Sequence, residues 1–434
     1  MRDRKGATNL RYIIFFIFIF NTALWGSFSG VIIDRVTSAP IEGAIVSDSN
    51  FSTKSDIGGS FLINSNEDRV SIKAYGYRPY KLNKENNETV FKLEPITVKA
   101  LYLSFWRASN NSPRLKEILD IIEKTEINTI VVDVKNEYGS TSYKTSYEKA
   151  NSYGAHEDRT NRDIAQFMEL MKSKNIYTIA RVVTFKDELQ ASNNPDYAIK
   201  KEDGTLWRNH DNMAWVDPFD KRAHEYTISI AEDAAKVGFD EINFDYIRFP
   251  AKTGLLLSKE NSEENRVEAI GEFLELAQNR LRKYGVFISV DTYGNVCWED
   301  NDVGIGQKIE SLSKYADYIS PMLYPSGFSS GSFGFENPSE HPHTVIFRSI
   351  KNIEDKIDSK RLRPWLQSFK DYAHRKIEYS YFEINEQIRA AADANTSGWM
   401  LWSPSSRYEI SYFTQREKKA LTFDLVRETQ EYID

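Results

Sequence analysis

Two patterns of hydrophobic and polar positions divide the chain near residue 98. Between residues 30 and 98, short β-prone runs alternate with turn residues roughly every ten positions, which predicts a small antiparallel β-sandwich. From residue 99 onward, apolar strand-like runs alternate with amphipathic helical runs, as in repeated βα units. The predicted strands of the first part are Gly30–Asp34, Ala44–Ser47, Ser60–Ile63, Val70–Ala74 and Thr89–Leu93.

The second part contains eight predicted strands separated by seven predicted helices. The strands are Ala100–Phe105, Thr129–Val134, Tyr177–Val183, Glu241–Ile247, Val286–Val290, Tyr318–Leu323, Pro364–Ser368 and Gly398–Trp402. The helices are Pro113–Lys124, Asp163–Lys174, Lys221–Lys236, Glu263–Lys283, Gly306–Lys314, Thr344–Lys356 and Phe382–Ala394. This count, over about 300 residues, favours a (β/α)8 barrel. A doubly wound open sheet is the alternative, but no glycine-rich dinucleotide or phosphate turn follows an early strand.

We therefore predict an α/β protein, a (β/α)8 TIM barrel over residues 99–434 preceded by an all-β sandwich over residues 30–98. Residues 1–29 predict a targeting segment, because basic residues precede an apolar run at 12–20 that continues more weakly to residue 28. We expect an exported protein of the cell envelope or the extracellular space. Residues 12–28 serve either as a cleaved secretory signal or as a membrane anchor.

Composition narrows the classes of function. The formal net charge of −7, without a basic cluster beyond the N-terminus, argues against nucleic-acid binding. Cys297 is the only cysteine, which excludes an intrachain disulfide and a multi-cysteine zinc site. The six histidines all fall in predicted loops or helices, so we expect no metal and no cofactor. The oligomeric state is left open.

Polar or aromatic residues stand at the C-terminal end of every predicted barrel strand. In a barrel these ends meet at one mouth, where chemistry takes place. A ring of structural ion pairs, with Lys135 and Arg181 neutralising Asp133 and Asp245, is the alternative. The candidate residues are Asp133, Lys135, Arg181, Asp245, Arg248, Asp291, Tyr293, Tyr324, Gln367 and Trp402.

The period of two residues along a strand predicts which of these side chains share a face. It places Asp133 and Lys135 on the same face and points Arg248 away from Asp245. A mouth with several carboxylates, cations and aromatic rings suits glycoside hydrolysis, which needs one carboxylic acid and one carboxylate. A serine hydrolase is disfavoured because no G-x-S-x-G elbow is present.

Seven segments in order resemble a known bacterial family. They are VVDVKNEYG, IARVVTFKD, GFDEINFDYIRFP, DTYG, ISPMLYPSGF, RPWLQSF and GWMLWSP, spread between Leu101 and Trp402. They are similar to a glycoside hydrolase domain once classed as a domain of unknown function and distantly related to α-amylase-like barrels. The pieces GVIIDRVTSAPIEGAIV, TKSDIGGSFLI and KAYGYRPY of the first part resemble the carboxypeptidase regulatory-like domain, a transthyretin-like sandwich.

The barrel resemblance implies roles for particular positions. It implies a nucleophile or base after strand four, here Asp245, and an acid after strand five, usually Glu but here Asp291. A further acid after strand seven is replaced by Gln367, and Asp133 is the reserve acid. The substrate-binding candidates are Lys135, Arg181, Arg248, Tyr293, Tyr324, Gln367 and Trp402.

These features lead to two expectations for function. The first is hydrolysis of an extracellular or envelope polysaccharide or oligosaccharide at Asp245, with Asp291 or Asp133 as partner. The second is a non-catalytic carbohydrate-binding surface protein with a degenerate barrel, which the glutamine at position 367 favours. A purely structural envelope protein would need no polar mouth and ranks last.

Overall fold

A computed structural model describes residues 26–83, 88–373 and 375–414. Most of the predicted targeting segment therefore lies outside the described residues, and its role stays a prediction. Within the described ranges, none of the helices is both long enough and apolar enough to cross a bilayer.

The first part folds into two β-sheets around a shared core. One sheet has the order β4-β1-β7 and the other the order β3-β2-β5-β6. Both sheets contribute buried side chains to this core, including Ile32, Val46, Phe61, Ile72 and Phe91. The strands are β1 (Ser27–Asp34), β2 (Ile45–Ser47), β3 (Ser52–Lys54), β4 (Ser60–Asn64), β5 (Arg69–Lys73), β6 (Tyr80–Asn83) and β7 (Val90–Leu93).

This part departs from the predicted antiparallel sandwich in two ways. Strands β1 and β7 pair in parallel, so a wholly antiparallel arrangement was wrong. Strands β3 and β6 were not predicted, because STK lacks apolar residues and the alternation in YKLN covers only four positions. The resemblance to the carboxypeptidase regulatory-like domain stays a prediction.

The second part is a closed barrel of eight parallel strands, which confirms the predicted (β/α)8 architecture. Its order is β10-β12-β14-β15-β16-β17-β8-β9, closing on β10. A two-stranded antiparallel sheet, β11 (Lys200–Lys201) and β13 (Leu255–Leu256), lies outside the barrel. The barrel strands are β8 (Val98–Leu103), β9 (Thr129–Lys135), β10 (Tyr177–Val183), β12 (Glu241–Asp245), β14 (Phe287–Tyr293), β15 (Tyr318–Met322), β16 (Trp365–Gln367) and β17 (Gly398–Trp402).

Seven of the described helices match the seven predicted ones, some with shorter bounds. The helix predicted at 306–314 keeps only four residues. The 17-residue helix α5 ends at Gly238, whose φ of 111° is easily adopted by glycine and turns the chain into β12. The helices are α1 (Pro113–Lys124), α2 (Glu148–Ser152), α3 (Ile164–Ser173), α4 (Glu188–Asn193), α5 (Lys221–Val237), α6 (Glu263–Leu281), α7 (Ile309–Leu312), α8 (Pro342–Lys351), α9 (Tyr381–Asp393) and α10 (Ser411–Thr414).

Strand β12 ends two residues earlier than the pattern predicts. Tyr246 adopts a left-handed backbone with a φ of 49°, which is uncommon for a residue other than glycine and breaks the extended conformation. The alternation of faces therefore stops at Asp245. As a result, Arg248 turns toward the same cavity as Asp245, and the prediction that it points away was wrong.

The sandwich packs against the N-terminal ends of the barrel strands. Lys73 on β5 pairs with Asp317 at 2.8 Å, just before β15. The Gly76 amide donates to the hydroxyl of Tyr318, the first residue of β15, at 3.1 Å. Just inside this end, the ion pair of Glu241 and Arg363 is fully buried in the barrel. The sandwich and this ion pair therefore close the barrel at its base, the end formed by the N-termini of the strands. A functional site is expected at the opposite, C-terminal end.

Candidate active site

Arg181 joins two carboxylates inside the barrel. It reaches inward from β10, and its Nη1 donates to Asp133 at 2.6 Å. Its Nε and Nη2 both donate to Oδ2 of Asp245, at 3.0 and 2.5 Å. All three side chains are largely buried, so these charges stabilise one another in a low-dielectric setting.

Asp245 is held at the end of β12 by two kinds of donor. Oδ2 accepts from Arg181, while Oδ1 accepts from the backbone N–H of Tyr246 at 2.6 Å. The left-handed conformation of Tyr246 accompanies this short side-chain contact. Hydrogen bonds to both oxygens fix the orientation of the carboxyl group, and the side chain still borders the open cavity.

Asp291, on the neighbouring strand β14, has a different environment. Its Oδ1 accepts from Asn243 at 2.8 Å and from the indole N–H of Trp365 at 2.7 Å. Burial, together with the negative charge of Asp245, raises the pKa of Asp291 well above its usual range. The two carboxyl groups of one cavity therefore lie in unequal environments, Asp245 bound to a cation and Asp291 desolvated beside a negative charge.

These side chains border a cavity of about 350 Å³ at the C-terminal end of the barrel. Trp402 stacks on Tyr102 with ring centroids 3.9 Å apart and faces the Arg181 guanidinium at 5.1 Å. The cavity thus combines aromatic faces with charged groups. It is lined by Glu137, Arg181, Asp245, Tyr246, Arg248, Asp291, Tyr293, Gly294, Asn295, Met322, Tyr324, Gly327, Phe328, Trp365, Tyr372 and Trp402.

Most of the predicted site residues come together in this cavity. The seven on its wall are Arg181, Asp245, Arg248, Asp291, Tyr293, Tyr324 and Trp402. Asp133 lies behind the wall, where it accepts from Arg181 and, at 2.5 Å, from the Tyr102 hydroxyl. Burial raises the pKa of Asp133. Its contacts suit it to holding Arg181 rather than to meeting a substrate.

Lys135 and Gln367 are not brought to the cavity. A register shift between β9 and β10 follows Asp133, and Lys135 instead pairs with Asp187 at 2.8 Å, both side chains being fully buried. Gln367 donates to Ser326 Oγ at 2.6 Å and accepts from the Ser326 amide at 3.1 Å. The alternative prediction was that Lys135 and Arg181 form ion pairs with Asp133 and Asp245. Arg181 forms both pairs, whereas Lys135 forms neither.

Several lining residues were not predicted. Glu137, Tyr246 and Tyr372 lie on loops beyond the strand ends, where strand periodicity carries no information. Glu137 falls inside the family-like segment VVDVKNEYG, four residues after Asp133, and that segment was the available signal. Among the described residues, no group of three or more His, Cys, Asp or Glu side chains could hold a metal ion.

Comparison with known proteins identifies the family of the barrel. A family model described as a putative glycosyl hydrolase domain matches residues 100–408, which include every strand of the barrel except the first two residues of β8. The chain belongs to this family. Family membership makes it a glycosidase with a carbohydrate substrate. No curated protein matches the chain.

Three solved structures are similar to parts of this chain. A hypothetical protein from Ruminiclostridium thermocellum is 34% identical over 44% of this chain and 96% of its own, with a TM-score of 0.39. The PgaB (BpsB) glycoside hydrolase domain from Bordetella bronchiseptica is 11% identical over 72% of this chain and 95% of its own, with a TM-score of 0.51. A chitinase from Chromobacterium violaceum is 9% identical over 73% and 96%, with a TM-score of 0.44.

Proposed function

We propose that the protein hydrolyses glycosidic bonds of an extracellular or cell-envelope polysaccharide, with Asp245 as nucleophile or base and Asp291 as acid. The observation that carries this proposal is the unequal environment of two carboxyl groups in one cavity. Arg181 and a backbone N–H hold Asp245, whereas burial raises the pKa of Asp291. Glycoside hydrolysis needs this division between a base and an acid.

The acid step follows from the hydrogen bonds of Asp291. Because Oδ1 accepts from Asn243 and Trp365, we place the proton on Oδ2 of Asp291, a residue that borders the cavity. Transfer of that proton to the glycosidic oxygen lets the leaving sugar depart neutral. Asn243 and Trp365 then stabilise the carboxylate that remains.

The second step belongs to Asp245. Its carboxylate either attacks the anomeric carbon or removes a proton from the attacking water, depending on the separation of the two carboxyl groups around bound sugar. Arg181 limits the rotation of Asp245 through two donors on one oxygen. Trp402 and Tyr324 offer aromatic faces on the same wall, where sugar rings can stack.

The location of the substrate follows from the N-terminal sequence. A basic flank followed by an apolar run at residues 12–20 supports export. The enzyme would then meet polysaccharides outside the cytoplasm, either free or anchored by residues 12–28. Fractionation of cells expressing the full chain, compared with a chain in which the apolar run is replaced by polar residues, tests this location.

Replacement of Asp245 by Asn tests the assignment of the catalytic carboxylate. Full-length protein is incubated with a panel of bacterial polysaccharides, and new reducing ends are counted. D245N should lose at least roughly 10²-fold in turnover, because the amide is neither a competent nucleophile nor a base. Thermal unfolding of the same samples checks that the fold survives the loss of one Arg181 partner.

The matched control is D240N, in the residue just before the same strand but at the opposite end of the barrel. Asp240 accepts from the Thr178 amide at 2.9 Å and lies outside the cavity wall. D240N should therefore retain turnover. Full activity in D245N would contradict the proposal, and sugar binding without cleavage by the unaltered protein would favour a carbohydrate-binding role instead.

A further inference from the structure

Arg248 differs from the other arginine of the cavity wall. Arg181 has two carboxylate partners, whereas none of the ion pairs among the described residues includes Arg248. Its described hydrogen bond runs from Nη1 to the carbonyl of Phe249 at 3.1 Å. A guanidinium group has five N–H donors, so most of its binding capacity is unused.

Asp245 lies close enough to influence Arg248 but does not bond to it. One oxygen of Asp245 is taken by Arg181 and the other by the Tyr246 amide. Burial lowers the pKa of Arg248, and the neighbouring Tyr246 and Asp245 offset this effect only in part. The guanidinium therefore carries a desolvated charge that an incoming anion would compensate.

The guanidinium group of Arg248 is also held in place. Its central carbon lies 5.1 Å from the ring centroid of Trp215 and 5.1 Å from that of Tyr246. Cation–π contacts of this kind restrict an otherwise flexible side chain. The left-handed conformation of Tyr246 turns the chain so that Arg248 reaches the cavity, and backbone strain of this kind concentrates at functional sites.

We propose that Arg248 forms a subsite for an anionic sugar and binds the carboxylate of a uronic acid unit beside the scissile bond. The inference rests on the proposed function, because the subsite shares its cavity with Asp245 and Asp291. A carboxylate is the favoured anion since its two oxygens match the planar fork of a guanidinium group. The substrate class is thus an acidic, uronate-containing polysaccharide.

Paired substrates test the subsite. Full-length protein is given alginate, polygalacturonate and hyaluronan, and in parallel the carboxyl-reduced, neutral form of each. The proposal expects kcat/KM on at least one acidic polymer to exceed that on its reduced form by roughly 10-fold or more, the value of one charge-assisted hydrogen bond. In R248Q this ratio should fall toward one, and R248K should restore part of it.

Two further arms make the result decisive. R348Q is the control, because Arg348 lies on a helix of the barrel's outer layer, donates to the Phe333 carbonyl and is absent from the cavity wall. Titration of glucuronate and glucose measures binding without turnover. Tighter binding of glucuronate that R248Q abolishes supports the subsite even when no polymer is cleaved, in which case only the proposed hydrolysis fails.

Equal efficiency on acidic and reduced polymers, together with equal binding of glucuronate and glucose, would overturn the subsite. So would an acidic preference that persists in R248Q. Tighter binding of glucose 6-sulfate than of glucuronate would also contradict the carboxylate assignment, because it would make the anion a sulfate ester.

Discussion

At the scale of single residues, Asp245 and Asp291 show how the surrounding side chains determine the properties of a carboxyl group. Both stand at the C-terminal ends of adjacent strands, and the strand pattern placed both at the mouth. Their unequal environments depend on contacts with other parts of the chain, since Arg181 donates to Asp245 whereas burial and the charge of Asp245 raise the pKa of Asp291. Such contacts require the closed barrel, so no local pattern could have predicted them.

The raised pKa of Asp291 predicts the alkaline limit of activity. The acid must be protonated, so kcat/KM should fall as the pH rises through the pKa of Asp291. In D291N this limb should disappear, and turnover should drop by roughly 10² to 10⁴-fold. The measurement is the pH profile of kcat/KM on the best polysaccharide, with D240N as the control that keeps both limbs.

An activated substrate sharpens this assignment. An aryl glycoside with a good leaving group needs little help from an acid, so D291N should lose much less activity on it than on a polysaccharide. D245N should be inactive on both substrates. An alkaline limb that survives in D291N would assign the acid to another group, with Glu137 the next carboxylate on the cavity wall.

Three predicted site residues, Asp133, Lys135 and Gln367, do not line the cavity. Asp133 and Lys135 stand at a strand end as predicted, but a register shift and the pairing of Lys135 with Asp187 take the lysine elsewhere. Gln367 bonds to the Ser326 segment. A strand end is readable from sequence, but the direction of a side chain next to a bulge is not.

At the scale of elements, the strands and long helices were predictable and their ends less so. Helix α1 and strands β10 and β17 keep their predicted bounds, because each is a long or strongly apolar run. Strand β12 is different, since its end depends on a tyrosine in a glycine-like conformation. Nothing in the local sequence marks Tyr246 for that conformation.

Helix α5 carries a buried histidine that predicts acid sensitivity. His224 packs between Phe185 and Phe273, and burial lowers its pKa from 6.5 to about 4. Between these values the unfolded chain binds a proton that the folded chain does not. This one proton makes the free energy of unfolding increase with pH across the window, with a slope of about 1.4 kcal/mol per pH unit. The folded protein is therefore less stable at the acidic end of the window.

Urea unfolding of H224Q between pH 4 and 6.5 tests this contribution. The variant should show a slope smaller by up to about 1.4 kcal/mol per pH unit, whatever its stability at pH 7. Comparison with the unaltered protein removes the effects of the aspartates that titrate in the same range. H210Q is the control, because that side chain is 88% exposed, and it should leave the slope unchanged. An unchanged slope in H224Q would refute the assignment.

At the scale of the whole molecule, the sandwich and the barrel are closely packed. Gly285, just before β14, adopts a φ of 62°, and a Cβ there would overlap with Ser71 of the sandwich. Lys73 adds an ion pair to Asp317 at the same interface. Two separate units were predictable from the change of pattern near residue 98. Their packing was not, because it joins residues more than 200 positions apart.

A methyl group at position 285 should therefore act as a wedge between the two units. G285A should lower the free energy of unfolding by about 1–3 kcal/mol more than G204A does, which is the usual cost of overpacking. Gly204 is the matched control, because its φ of 80° is also left-handed and nothing lies within 4 Å of an added Cβ. Urea denaturation of both variants measures the difference. Equal losses would show that backbone strain alone accounts for the effect.

The direction of β1 has a practical consequence. Its C-terminal end adjoins the barrel, since Arg35 pairs with Glu94, which also accepts from Asn175 at the barrel base. Ser27, at the other end of the strand, lies roughly 20 Å from this contact along β1. A bead or electrode coupled ahead of Ser27 would hold the molecule by its sandwich, which packs against the end of the barrel opposite the cavity. Immobilised in this orientation, the protein would expose its cavity to the solvent, where a large polysaccharide can reach it.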